Sequence, residues 1–302
     1  MQRHEGEIST DGSAPRCAIW GTLNVTPDSF SDGGRFQDPT HAMAHARRMA
    51  DEGADVIDVG GASSRPRGKL YGAGASEVTL ADEIGRVVPV VAALGDALSL
   101  PISVDTCRAE VARAALDAGA SIINDVSMGA SEALVALAAE RQVDYVLMHT
   151  RGQGEVESPN TRYADVALEV RDELLTVVDR AVALGLPRER IVLDPGIGFA
   201  KTAAQSLELL GRLDVLVATG HRVLVGPSRK GFIAETASRP DGSRPSPSER
   251  EFGTAAAVTA AVLQGAAAVR VHDVAAMRQA LLVAQGIFSA SGRSARGGVH
   301  VD

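Results

Sequence analysis

Short apolar runs alternate with longer stretches whose apolar residues recur every three or four positions, and the alternation repeats eight times along the chain. The short runs are rich in Val, Ile and Leu and nearly continuous in hydrophobicity, as strands buried on both faces should be. They predict strands over Cys17–Val25, Asp55–Gly61, Pro101–Thr106 and Ser121–Val126, then over Asp144–Thr150, Ile191–Pro195, Arg222–Gly226 and Ala267–His272. The stretches between them predict helices over Thr40–Gly53, Thr79–Leu94, Arg108–Gly119, Ser131–Arg141, Asp165–Gly185, Ala203–Thr219, Phe252–Gly265 and Ala275–Ser289. Several of these close on a glycine, at Gly53, Gly95, Gly119, Gly185 and Gly265, where a left-handed residue can satisfy the last helical carbonyls. Eight βα units of this kind describe an α/β protein, a (β/α)8 TIM barrel occupying residues 16–289 as a single domain. A doubly wound open sheet is the alternative arrangement. Residues 237–250, crowded with Ser, Pro and Gly, are expected to make a surface excursion, and residues 1–15 and 290–302 to be flexible tails.

Composition narrows the function classes more than it changes the fold. The net charge of −8 argues against general nucleic-acid binding, which needs a basic surface, but leaves room for an anionic small molecule at a locally positive site. The two cysteines, Cys17 and Cys107, form no CxxC pattern, so neither a disulfide scaffold nor a zinc site is expected. The polar N-terminus lacks the apolar core of a signal peptide, and no run approaches the ~20 apolar residues of a membrane span. A cytoplasmic protein with no membrane or nucleic-acid partner is the expectation.

In a barrel the chemistry gathers at the C-terminal strand ends. Here all eight predicted strands finish in polar or charged residues: Asn24, the Gly60–Arg65 run, Asp105, Asn124-Asp125, Met148-His149, Asp194-Pro195-Gly196, Ser228-Arg229-Lys230 and Arg270-Val271-His272-Asp273. Arg65, Lys230, Arg270 and His272 suit phosphate oxygens. Asp105, Asn124 and Asp194 suit a heterocycle carrying several N–H donors. A ligand with a polar ring at one end and a phosphate at the other satisfies both sets. The first loop, Asn24 to Gly34, adds oxygen donors that could complete a Mg²⁺ shell beside a pyrophosphate. Other features carry less. His41 and His45 stand four apart on a helix but lack the HExxH glutamate, Gly72-Ala73-Gly74 is no dinucleotide fingerprint, and the Walker lysine motif is absent from the sequence.

The strand-end motifs together resemble the dihydropteroate synthase family. The matching runs are Gly21–Gly34, Asp58–Gly61 followed by Ser63–Pro66, Ser103–Thr106, Ile123–Asp125, Leu147–His149, Asp194–Phe199, Ser228–Lys230 and Arg270–Asp273. They fall in family order over about residues 18–288. The resemblance implies a TIM-barrel transferase of folate biosynthesis, usually dimeric and Mg²⁺-dependent. It would join 6-hydroxymethyl-7,8-dihydropterin pyrophosphate to p-aminobenzoate, giving 7,8-dihydropteroate and pyrophosphate. It places a pterin pocket at Asp105, Asn124, Met148, Asp194, Lys230 and Arg270, and a pyrophosphate site at Asn24, Arg65, Arg270 and His272, with the metal at Asn24. The p-aminobenzoate slot falls on Phe30, Ser64, Pro66, Phe199 and Lys230, and the catalytic roles on Asp105, Lys230, Arg65 and His272. Four departures touch the p-aminobenzoate side: Ala62 stands where the family usually has glutamate, Ser64 where threonine is common, and Gly231 where serine often follows Ser-Arg-Lys, and the loop after Pro66 is longer than usual. Rival readings are a pterin-dependent methyltransferase and a catalytically idle pterin-binding paralogue.

Overall fold

Strand β1 (Ala18–Asn24) opens a closed barrel in which each strand pairs in parallel with its successor and β8 (Ala268–Val271) returns to β1. The intervening strands are β2 (Val56–Gly60), β3 (Ile102–Asp105), β4 (Ile122–Asp125), β5 (Asp144–Met148), β6 (Ile191–Asp194) and β7 (Arg222–Val225). The computed structural model describes residues 16–26, 39–62, 78–152 and 161–291. All eight predicted strands are present, each within two residues of its expected ends, and the open-sheet alternative falls with the β8–β1 pairing. The expected tails lie almost wholly outside the described residues.

Alternation along the strands sorts side chains into two cores. Outward residues such as Ile19, Leu23, Ile57, Val104, Ile123, Leu147, Leu193 and Val269 meet the helices and are fully buried. Inward residues Trp20, Val56, Ile122, Val146, Val192, Leu224 and Ala268 fill the barrel's middle as a separate apolar cluster. Below it, near the N-terminal strand ends, Arg222 reaches Asp144 at 2.8 Å. Above it the inward positions turn polar, and that is where the site lies.

The barrel helices are α1 (Pro39–Asp51), α2 (Leu80–Ala97), α3 (Ala109–Asp117), α4 (Glu132–Arg141), α5 (Val166–Ala183), α6 (Ala203–Gly211), α9 (Glu251–Leu263) and α10 (Val274–Ala290). Thr79, Ser131, Asp165, Thr202 and Asp273 cap five of them with side-chain oxygens on backbone N–H groups. Gly119 (φ +116°) and Gly185 (φ +93°) end α3 and α5 in the expected left-handed turn. Two expectations need correction, and the fold adds one element. Gly95 ends nothing, because α2 runs on to Ala97 and closes at Leu98. The helix expected over Ala203–Thr219 breaks at Arg212, which bonds Glu208 and Asp165 while Leu213 turns into the core; a short α7 (Asp214–Val217) follows. A further short helix, α8 (Gly231–Thr236), follows the loop after β7. The 237–250 excursion ends in a capped 3-10 turn, Pro247–Arg250, whose Arg250 Nη1 donates to the Arg229 carbonyl at 2.8 Å. That stretch therefore supports the loop after β7.

Candidate active site

Register sets the upper rim. Asn24 pairs with Gly60, Gly60 with Asp105, and Asp105 with Asn124, so one rung of the barrel carries four site positions on neighbouring strands. On the far side Met148 pairs with Asp194. The missing side chain at Gly60 leaves the notch between Asn24 and Asp105 open, since a Cβ there would lie 3.5 Å from the Asp105 Cβ and 3.6 Å from Asn24 Oδ1. Asp105, Asn124, Met148 and Asp194 are all buried.

A buried ion-pair cluster ties the rim together. Arg270 on β8 donates through Nη2 to Asp105 Oδ2 at 2.8 Å and through Nε to Asp58 Oδ2. Asn124 Nδ2 donates to the same Asp58 oxygen at 3.2 Å. Asp58, one residue pair below Gly60 on β2 and fully buried, thus orients both a cation and an amide of the pterin set. It stood in a matching motif without a role, and its signal was an acid at an inward strand position that should have been apolar. Burial pushes the Asp105 carboxyl up to about 7 against the pull of Arg270, with Asp58 adding to the rise. Burial also raises Asp194, whose Oδ1 accepts the Gly196 N–H at 2.7 Å. Lys230 is pushed down to about 8 by burial, partly offset by Asp194.

The β7 and β8 ends supply the remaining cations. Arg229 adopts φ +59°, a strained choice for an arginine, and its N–H and carbonyl are held by Thr254 Oγ1 and Arg250. That turn brings Lys230 Nζ over the Phe199 ring, 4.0 Å from its centroid. His272 Nδ1 lies 2.9 Å from Ser228 Oγ, linking the two strand ends. Gly231 opens α8, and Ala62 follows Gly61, whose carbonyl accepts from Arg86 at 3.1 Å. Glu83 of α2, buried beside Gly61, accepts from Thr106 at 2.7 Å and pairs with Arg108 at 3.1 Å. Phe30, Ser64, Arg65 and Pro66 lie outside the described residues. Asp105, Asn124, Met148, Asp194, Phe199, Lys230, Arg270, His272 and Asn24 all come to one end of one barrel. A second buried polar group, Lys201 with His149, went unassigned in the sequence reading, where a lysine just before a helix N-cap reads as solvated.

A barrel with acids and an amide facing its axis and a lysine and arginine beside them defines a pterin-binding enzyme, and the pterin binding enzyme family model matches residues 20–272. The chain is 45% identical to the dihydropteroate synthase of Synechocystis sp. over 90% of its length and 91% of the relative's. It is 48% identical to that of Mycobacterium leprae, over 88% of this chain and 91% of the other. Among solved structures, Xanthomonas albilineans dihydropteroate synthase with 4-aminobenzoic acid superposes with a TM-score of 0.81 at 41% identity, covering 90% of this chain and 93% of that one. The chain belongs to the dihydropteroate synthase family.

Proposed function

We infer that this chain joins 6-hydroxymethyl-7,8-dihydropterin pyrophosphate to p-aminobenzoate. The amine nitrogen bonds to the pterin methylene carbon, the carbon–oxygen bond to pyrophosphate breaks, and the amine's proton leaves to solvent. The observation that carries this reading is the buried Asp58–Arg270–Asp105 and Asn124 cluster facing Asp194 and Lys230. Carboxylates of Asp105 and Asp194 and the Asn124 amide match the N–H-rich edge of a pterin, and Arg270 and Met148 close on its ring. A pterin methylene can part from its leaving group with cationic character spread over the ring. The site then needs electrostatic support for departing pyrophosphate more than a strong base. Arg270 supplies positive charge on that side and His272 a ring nitrogen that can hydrogen-bond a phosphate oxygen, with Arg65 added by the family resemblance, and Asp105 supports the cationic ring. Phe199 and Lys230 are the described residues of the p-aminobenzoate slot, to which the family resemblance adds Phe30, Ser64 and Pro66; a relative's structure holds 4-aminobenzoic acid.

Mg²⁺ fits the donors present. Among the described residues no cluster of three or more acidic, His or Cys side chains could hold a metal. Asn24 Oδ1 at the Gly60 notch is a single neutral oxygen donor, which suits an ion that takes most of its ligands from phosphate and water. When bound beside Asn24, the ion supplies Lewis-acid stabilisation of the leaving group. A homodimer is supported by the exposed apolar residues Leu282, Val283 and Ile287 of α10 and by Phe252, 91% exposed, at the start of neighbouring α9. Sedimentation at micromolar concentration should give twice the 31.3 kDa chain mass, and a single-chain mass would exclude it. No helix among the described residues is long and apolar enough to cross a membrane.

Pyrophosphate release from purified protein, Mg²⁺ and the pterin substrate tests the reading. Release should require p-aminobenzoate and fall by ~100-fold or more in Asp105→Ala or Lys230→Ala, the scale on which loss of a transition-state contact is felt. Binding of the pterin without release would instead establish the idle paralogue.

A further inference from the structure

The chain between β6 and α6, residues 195–202, has no ladder partner and passes through the left-handed region at Gly196 (φ +64°), Gly198 (φ +79°) and Ala200 (φ +47°). Its carbonyls need other donors. Lys201, 1% exposed, folds back beneath the loop, where Nζ donates to the Gly196 carbonyl at 3.2 Å and the Phe199 carbonyl at 3.0 Å. Burial pulls the Lys201 amine down to about 7 against Asp194, and in the ammonium form its third hydrogen faces His149 Nδ1 at 2.9 Å. With Nδ1 accepting, the imidazole proton sits on Nε2, 3.1 Å from Glu173 Oε2. Burial pushes His149 down to about 4, which keeps the ring neutral, while its hydrogen bond to Glu173 holds that acid down at about 2. Arg151 anchors Glu173 in turn, and Tyr163 donates to the Ala200 carbonyl at 3.1 Å.

The two ends of the loop are held differently. Near Asp194 the backbone has two further ties beside the Lys201 bond to the Gly196 carbonyl, the His149 N–H to the Asp194 carbonyl at 2.8 Å and the Gly196 N–H to Asp194 Oδ1. Near Phe199 the ammonium grips the carbonyl of the residue whose ring meets Lys230. We propose that Lys201 is a positioning residue for the second substrate: its buried ammonium fixes Phe199 from beneath and so shapes the p-aminobenzoate subsite without touching either substrate. The proposal rests on Phe199 walling that subsite.

A double-mutant cycle on the full-length enzyme tests it, with KM measured for each substrate in Lys201→Met, Phe199→Ala and the pair. Lys201→Met should raise KM for p-aminobenzoate about tenfold and move KM for the pterin substrate by less than threefold. The double variant should be little worse than Phe199→Ala alone, because the lysine acts through that residue. Lys201→Gln, whose amide still donates to two carbonyls, should recover part of the loss, and it keeps the KM comparison readable if Lys201→Met does not fold. Equal rises in both KM values, or multiplicative effects in the double variant, would overturn the proposal while leaving the subsite reading intact. An unchanged p-aminobenzoate KM in Phe199→Ala would overturn the subsite reading and the proposal with it.

Discussion

Arg270 lies between Asp58 and Asp105, and with Asp194 and Lys230 the buried group holds three acids to two bases. Burial, reinforced by Asp58, favours a retained proton, which is why Asp105 sits at about 7 despite its arginine. An aspartate that binds its proton more tightly folded than unfolded gives its full stabilisation below about pH 4 and loses it as pH rises through about 7. Asparagine cannot ionise. The melting temperature of Asp105→Asn, relative to the unsubstituted protein, should therefore be higher at pH 8 than at pH 5. A difference that stays flat across that range would mean Asp105 is already ionised at pH 5.

At the scale of elements, the strands were readable because each is short, apolar on both faces and closed by a polar residue, so hydrophobicity alone sets its ends within two residues. The strand-end site was readable for the same reason, because Asn24, Asp105, Asn124 and Asp194 interrupt apolar runs. What escaped depends on contacts distant in sequence. Asp58 acquires its role from Arg270, 212 residues away, and Lys201 from His149, 52 away. The break at Arg212 follows the burial of Leu213, which helical periodicity does not reveal. The support that residues 237–250 give to Arg229 likewise exists only in the folded chain. The loop after β6 shows how little slack such contacts leave. Gly196 is left-handed, and a Cβ there would collide with the His149 carbonyl. Gly196→Ala should cost ~2 kcal/mol or more from strain and collision together, read as a lowered melting temperature, with Asp194 displaced and pterin affinity reduced. A variant as stable as the parent would show that the loop can step away from β5.

Across the whole molecule, closure of the barrel brings groups from both ends of the sequence to one rim, as in the Arg270–Asp58 pair. The half of the site proposed for the pterin is built on strands locked in register, whereas Phe199 and Lys230, proposed for p-aminobenzoate, stand on loops. The rigid half also contains the chain's one tryptophan. Trp20 is buried in the barrel's apolar middle, level with Arg270 and two residues, about 7 Å, below the Asp58 rung. Dihydropterins absorb in the near ultraviolet, where a buried indole emits. The enzyme thus carries a built-in optical gauge of its first substrate: pterin addition should quench Trp20 emission by energy transfer, saturably and without p-aminobenzoate, and Trp20→Phe should abolish the signal. A titration that left the emission unchanged would place the pterin away from the barrel axis.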